Sequence, residues 1–422
     1  MKTNFSSLFR TLSIYALSNI INASIPFLLL PVLTHYLSPS AFGIVAMFQV
    51  ILSFSLPFSG LNVEGAVSRQ FFEKQKIDFP VYVWNAIVIL FTSSIVVLII
   101  YFVTGQMIET LTDFPYNWLS LIVLCAFAQN LSEIGLAVWQ VQYQALKYGL
   151  FRITRTVTDI SISLFFVVTL RESWQGRVSA QVIAIFAFAI ITLFFLKKEK
   201  MIRTQVNREY IKSAIRFGLP LVPHVIGAIV ITMSDRIFIT KMVGLSATGL
   251  YAAGYQVGMI IGLFQNSFNQ AWVPWFYEKL KLNENKTNIG IVKFTYMYFL
   301  LMLAGVVLLT VITPYIFDIF LGKDYSSARI YVFWIGLGFA FNGMYKMVVN
   351  YFFYIQKTYI VSMITFMTAL LNLLLNYFFI KEFGPIGAAQ ATVIAFFFQF
   401  IVVWYMSSKA YKMPWLFFIR NK

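Results

Sequence analysis

Charged residues inside apolar stretches are where this chain could do chemistry. Lys346 stands near the middle of one such stretch, 330–355. A charge at that depth costs about 2.5–3.5 kcal/mol on insertion scales, so it turns toward the protein interior or water. Lys346 therefore either lines a polar cavity and draws an anionic group, or it sits in a buried pair with a carboxylate such as Glu133. Arg152, Arg155, Asp159 and Ser163 follow one another at helical steps and share one face. They read as a functional polar face, or as an Arg155–Asp159 pair one turn apart with Arg152 as an interfacial anchor. Histidine titrates near neutral pH, and loss of water lets a carboxylate take up a proton more readily. Glu133 and His224 are thus the candidates for proton coupling. His224 lies beside Pro220 and Pro223, which are expected to bend the helix, and a structural histidine is the plainer reading.

Amide residues form further stripes. Tyr15, Asn19 and Asn22 fall on one helical face, Asn266, Asn269 and Gln270 cluster, and Thr365, Thr368, Asn372 and Asn376 recur at helical spacing. Such groups bind the hydroxyls of a ligand or bind helices to one another. The first two sets read as cavity lining and the third as interhelical glue. The chain has no P-loop, dinucleotide-binding glycine pattern, metal-spaced His/Cys set or nucleophile elbow. No cofactor or metal is expected.

The elements that must position these residues follow from composition. Of 422 residues, 59% are hydrophobic and 11% charged, whereas soluble domains carry roughly a quarter charged and 45–50% apolar residues. A soluble core could not hide so much apolar surface. Hydrocarbon about 30 Å thick needs about 20 apolar residues per helix, and open strands would leave backbone groups unpaired there. The apolar runs are long and continuous, which selects an all-α polytopic membrane protein of about 12 transmembrane helices. The first six are expected at 12–34, 41–61, 81–104, 117–139, 148–170 and 178–196. The other six are expected at 214–238, 248–272, 291–313, 330–355, 358–380 and 386–408. The first run passes signal-peptide length without a cleavage site and reads as an uncleaved span. Cys125 is the single cysteine, so no intramolecular disulfide holds the fold.

With both termini in the cytoplasm, Lys and Arg fall in the cytoplasmic connections about four times as often as in the opposite ones. The net charge of +16 is thus mostly a topology signal. Its dispersal over short loops argues against nucleic acid as a partner. The charged connection near the chain's middle divides it into an N-terminal six-helix lobe (1–196), a cytoplasmic linker (197–213) and a C-terminal six-helix lobe (214–422). The halves echo each other. Gly43, Ala46 and Gln49 pair with Gly249, Ala252 and Gln256, and Gly176, Ala180 and Ala184 pair with Gly387, Ala391 and Ala395. Repeats of six spans share one orientation, and a site between them can open to either face by rocking.

Five stretches carry a family resemblance: PFLLLPVLTHYLSPSAFGIVAMFQV, GLNVEGAVSRQFFE, FGLPLVPHV, SDRIFITKMVGLSATGLYAAGYQV and NLLLNYFFIKEFGPIGAAQATVIA. Together they resemble the polysaccharide transporters of the multidrug/oligosaccharidyl-lipid/polysaccharide flippase superfamily, most similarly O-antigen flippases of the Wzx type. The resemblance implies a two-lobed fold with a central cavity. It implies a cargo, an undecaprenyl-diphosphate-linked oligosaccharide, moved between leaflets of a bacterial inner membrane. Polymerase and chain-length regulator are the implied protein partners, and H⁺ or Na⁺ the coupling ion. Lys346 would then attract diphosphate or acidic sugar. Asp235 and Arg236 match the family motif, as does Arg69, and each would guide the headgroup, gate one face or anchor the interface. Three rivals stand beside this reading, one of them a flippase for the peptidoglycan precursor, whose chains usually carry additional spans. A membrane-embedded polymerase or ligase would need a large external loop, and a multidrug antiporter of the same superfamily would favour acidic cavity residues.

Overall fold

The computed structural model describes residues 27–73, 77–282 and 284–416, which form helices and no strand among the described residues. The expected Asn19 and Asn22 positions lie outside them. The helices are α1 (Phe27–Tyr36), α2 (Pro39–Gly60), α3 (Val63–Gln70), α4 (Phe79–Thr112), α5 (Leu119–Val141), α6 (Ala145–Leu164), α7 (Trp174–Lys198) and α8 (Arg208–Gly218). They continue as α9 (Val222–Met242), α10 (Leu245–Gly258), α11 (Ile260–Leu282), α12 (Asn285–Phe320), α13 (Arg329–Tyr354), α14 (Thr358–Phe383) and α15 (Pro385–Ala410).

Among the described residues nine helical stretches are long and apolar enough to cross a membrane, and ten when α10 and α11, bent by 40° at Met259, count as one. Of the twelve expected spans, 12–34 lies mostly outside the described residues. The other, 148–170, is built as α6 plus a π-helical turn, Phe165–Thr169. Its charged face, with Arg152, Arg155 and Asp159, keeps it below the apolarity of its neighbours. The outward faces carry large apolar side chains, with Phe102 and Val103 on α4 76% and 79% exposed. In water such a surface would aggregate; against acyl chains it is matched.

Local sequence signals set the ends. Ser38 caps α2 by accepting the Ala41 N–H at 3.3 Å, with Pro39 in the first turn. Asn207 caps α8 by accepting the Glu209 N–H at 2.9 Å. Pro220 lies in a short 3-10 turn, Leu219–Leu221, so α8 and α9 run on as one 35-residue stretch, Arg208–Met242. The tighter turn accommodates the missing proline N–H, and the stretch stays one span.

The chain forms two compact units that divide between Ile229 and Val230. That division falls inside α9, beyond the charged connection expected to separate the halves. The reason is that the connection is stitched to the first unit. Arg203 pairs with Asp78, Asn85 donates to the Gln205 carbonyl at 2.9 Å, and Asn207 N–H donates back to the Asn85 amide oxygen at 2.9 Å. The helix α8 then packs on α3 and α4.

In the first unit α5 packs between α2, α4 and α7, around buried Phe48, Tyr82 and Trp139. In the second, α13 is the central helix, against α10, α11, α12 and α15. The matched repeat motifs open α2 and α10 at one end of each half and α7 and α15 at the other.

One close approach fixes α8 in the first unit. Leu61 and Asn62 adopt left-handed backbone conformations (φ 45° and 51°) that turn α2 into α3. A Cβ at Gly218 would run into the Leu61 carbonyl oxygen. Gly218→Ala is therefore expected to destabilise the protein by about 1–3 kcal/mol, read as a lower melting temperature in detergent. Gly290→Ala on α12, where a Cβ meets nothing within 4 Å, is the control and should leave the melting temperature unchanged or raised.

Candidate functional site

In the first unit the charged face of α6 meets α7 and α5. Asp159 is held by Arg177 of α7, whose two terminal nitrogens donate to its two carboxylate oxygens at 2.7 and 3.2 Å. The first of those nitrogens also donates to Ser163 Oγ at 2.9 Å. The expected i,i+4 pair of Arg155 with Asp159 is thus replaced by a fork-shaped pair between helices, a geometry that suits a planar guanidinium. Arg152 donates to the Tyr148 hydroxyl at 2.9 Å and lies over its ring.

Arg155 is half-buried and feels the charges of Glu133, Asp159 and Arg152, but it forms no ion pair within 4 Å among the described residues. Glu133 is likewise half-buried on α5 and outside any such pair. A second half-buried carboxylate, Glu64 of α3, lies within its electrostatic reach. Sequence reasoning did not single out Glu64 or Arg177. Arg177 is the last residue of the expected connection, but α7 begins at Trp174 and takes it into the helix, where only the folded neighbour reveals its role.

Arg69 is exposed and its guanidinium lies 5.5 Å from the centre of the Phe217 ring on α8. His224 is exposed at the start of α9. Cys125 is buried in α5.

In the second unit a polar ladder runs between α11 and α13. Asn342, Lys346 and Asn350 occupy successive turns of α13. They face Gln265, Asn266 and Asn269 of α11. Gln265 donates to the Asn342 amide oxygen at 3.0 Å, Lys346 donates to that of Asn266, and Asn350 donates to that of Asn269 at 3.4 Å. Asn350 also donates to the Lys346 carbonyl at 2.8 Å. Lys346 thus meets an amide and, among the described residues, no carboxylate. An ammonium has three N–H donors, and Asn266 takes one. Gly343 permits the ladder, since a Cβ there would press on Gln265, Met302 and the Tyr298 hydroxyl, each at 3.1 Å. The i,i+4 spacing of Asn342, Lys346 and Asn350 was a readable signal, but Asn342, Asn350 and Gln265 were not among the expected residues.

Asp235 and Arg236 lie in a closed network. Asp235 is 0% and Arg236 6% exposed. The two pair at 3.1 Å, the Tyr251 hydroxyl donates to Asp235, and Arg236 donates to the Thr232 carbonyl at 2.8 Å. The guanidinium also sits 4.2 Å from the centre of the Tyr255 ring. Here α9 is joined to α10 through the Tyr251 hydroxyl and the Tyr255 ring. The α14 stripe is buried in the same way: Asn376 donates to Asn372 at 3.1 Å, Asn372 to Thr392 at 3.3 Å and Gln399 to Thr365 at 3.4 Å. These bonds match the glue expected of that stripe.

The sequence model of the family described as polysaccharide biosynthesis proteins matches residues 8–279. The chain belongs to this family. The match covers every helix of the first unit and the α11 side of the ladder, and ends before α12. Among relatives of this family member, an uncharacterized membrane protein of Haemophilus influenzae is 28% identical over 376 residues, covering 87% of this chain and 89% of that protein. A Shigella flexneri protein named "Putative O-antigen transporter" is 21% identical over 251 residues, 58% of this chain and 59% of that one. Two solved structures share the fold. An inward-facing multidrug-resistance MATE transporter of the MOP superfamily has a TM-score of 0.76 at 12% identity, with 94% of each chain covered. The lipid II flippase MurJ, in an inward closed conformation, has a TM-score of 0.70 at 15% identity, with 95% of this chain and 86% of that one covered. The chain is therefore a multi-pass membrane protein of a polysaccharide biosynthesis family with the fold of MOP-superfamily transporters.

Proposed function

We propose that this protein is a flippase. It moves undecaprenyl-diphosphate-linked oligosaccharide repeat units, of O-antigen or a similar surface polysaccharide, from the cytoplasmic to the periplasmic leaflet of a bacterial inner membrane by alternating access. The observation that carries the reading is the ladder at Lys346. A cation held among amides, and paired with no carboxylate among the described residues, suits a diphosphate next to sugar hydroxyls. The ammonium meets phosphate oxygens, and the amides of Asn266, Asn269, Asn342 and Asn350 exchange hydrogen bonds with hydroxyls. A cationic drug would be repelled there, which disfavours the multidrug-antiporter reading. Family membership and the "Putative O-antigen transporter" of Shigella flexneri support the same cargo class. The Lys and Arg asymmetry supports a reading with both termini in the cytoplasm. Polymerase and chain-length regulator would act on the delivered unit.

Arg155 and Arg152 of the first unit supply further positive charge for the headgroup, while Asp159 is held by Arg177. Glu133, half-buried with Glu64 nearby, is our first candidate for proton coupling, and exposed His224 is the second. The test is flipping of a lipid-linked oligosaccharide by the full chain in vesicles, with and without a proton gradient. We expect transport in both directions of leaflet exchange without a gradient, and net accumulation in one leaflet with it. Absence of flipping by well-folded protein overturns the function. Equal rates with and without the gradient dismiss Glu133 and His224 as carriers.

A further inference from the structure

An apolar groove of about 590 Å³ opens on the first unit, away from the ladder in the chain. Its walls are Phe54 and Phe58 of α2, Val88 to Ile100 on α4, and Ile211 and Ile215 of α8. The hydroxyls near it are used internally: Ser93 donates to the Ile89 carbonyl at 2.8 Å, and Ser55 and Tyr101 bond to each other at 2.7 Å. Only an apolar guest fits such a lining.

The groove's dimensions set the kind of guest. From Val88 to Ile100 the helix rises roughly 18 Å at 1.5 Å per residue. That is close to one leaflet, half of a hydrocarbon core about 30 Å thick. If a methylene fills roughly the volume of a liquid water, about 30 Å³, the groove holds about twenty carbons. One acyl chain fits. The whole tail of a long polyprenyl lipid does not.

The rim decides the headgroup. The α8–α9 stretch of 35 residues is roughly 52 Å long, well beyond the hydrocarbon, and its basic end, α8, suits the headgroup layer. Arg208, Lys212 and Arg216 recur every four residues along α8, in the column next to Ile211 and Ile215. All three are exposed, and none pairs with a carboxylate among the described residues. Basic residues at that level attract anionic lipid.

We propose that the groove between α2, α4 and α8 is a binding site for an anionic phospholipid, with one acyl chain in the groove and its phosphate on Arg208, Lys212 and Arg216. Such a lipid would brace α8, the segment that joins the charged connection to α9. The site is independent of the flippase reading, because lipid retention is measured without transport.

Native mass spectrometry of the full chain in detergent, with added phosphatidylglycerol or phosphatidylcholine, tests it. Wild type is expected to retain one phosphatidylglycerol at least about tenfold better than phosphatidylcholine. The triple variant R208Q/K212Q/R216Q should lose that preference, and R208K/R216K, which keeps the charge, should retain it. Ile211→Trp, which fills the groove, should lower retention of both lipids. Equal retention of the two lipids by wild type overturns the proposal, and this arm needs no variant to fold. Displacement of phosphatidylglycerol by an equimolar polyprenyl phosphate also overturns it, by assigning the groove to the cargo's lipid instead.

Discussion

Lys346→Ala is expected to cut lipid-linked oligosaccharide transport by about 10- to 100-fold while the protein still reaches the membrane. A hydrogen bond to a charged group contributes roughly 1.5–3 kcal/mol, and every 1.4 kcal/mol is about tenfold. The ammonium's partner in the protein is the neutral Asn266 amide, so removing it strands no buried carboxylate. Stability should therefore change little, which separates this variant from a folding defect. In cells the outcome is loss of surface polymer at normal membrane abundance. Lys346→Arg keeps the charge but changes a compact donor for a planar fork, and should restore part of the activity. Normal polymer display by Lys346→Ala would remove this residue from the mechanism.

Asp235→Ala should act through stability instead. Breaking a buried ion pair typically costs about 3–5 kcal/mol, because the remaining charge loses its compensation. Arg236 would keep the Thr232 carbonyl and the Tyr255 ring but lose its only carboxylate contact among the described residues. The Tyr251 hydroxyl would lose its acceptor at the same time. The expected readout is a marked drop in melting temperature and in membrane yield. Replacing both partners with apolar residues, Asp235→Leu with Arg236→Met, should recover much of the loss, since no lone charge is then buried. If Asp235→Ala folded as well as wild type yet failed to transport, the pair would belong to the transport path.

The two variants divide along what the sequence could reveal. Charge in an apolar run marked Lys346, and the motif of the resembled family marked Asp235 and Arg236. The surroundings that separate them are tertiary. Tyr251 reaches Asp235 from the next helix, 16 residues on, whereas Asn266 reaches Lys346 across 80 residues. The α6 face shows the same limit. Helical periodicity put Arg155 and Asp159 on one side, and local spacing favoured their pairing. The fold instead brought Arg177 from α7, with two parallel bonds that a side chain one turn away did not supply. The amide stripe of α14 was legible in advance, because amides at helical spacing in an apolar helix need partners and a packed neighbour provides them.

By itself the sequence determined the solvent and the secondary structure. So many apolar residues in runs of about 20 can satisfy their backbone only as membrane helices. It also marked where polarity enters several helices, through Lys346, the α6 face of Arg152, Arg155 and Asp159, and the α14 amide stripe. The tertiary structure alone decided partners: which charges are spent on one another, which remain beside amides, and that the connection after α7 folds onto α4 through Asn85 and Asp78. Periodicity specifies the face of a helix. The helix that this face meets depends on packing across the whole unit, and hydrogen-bond and ion-pair energies depend on that meeting.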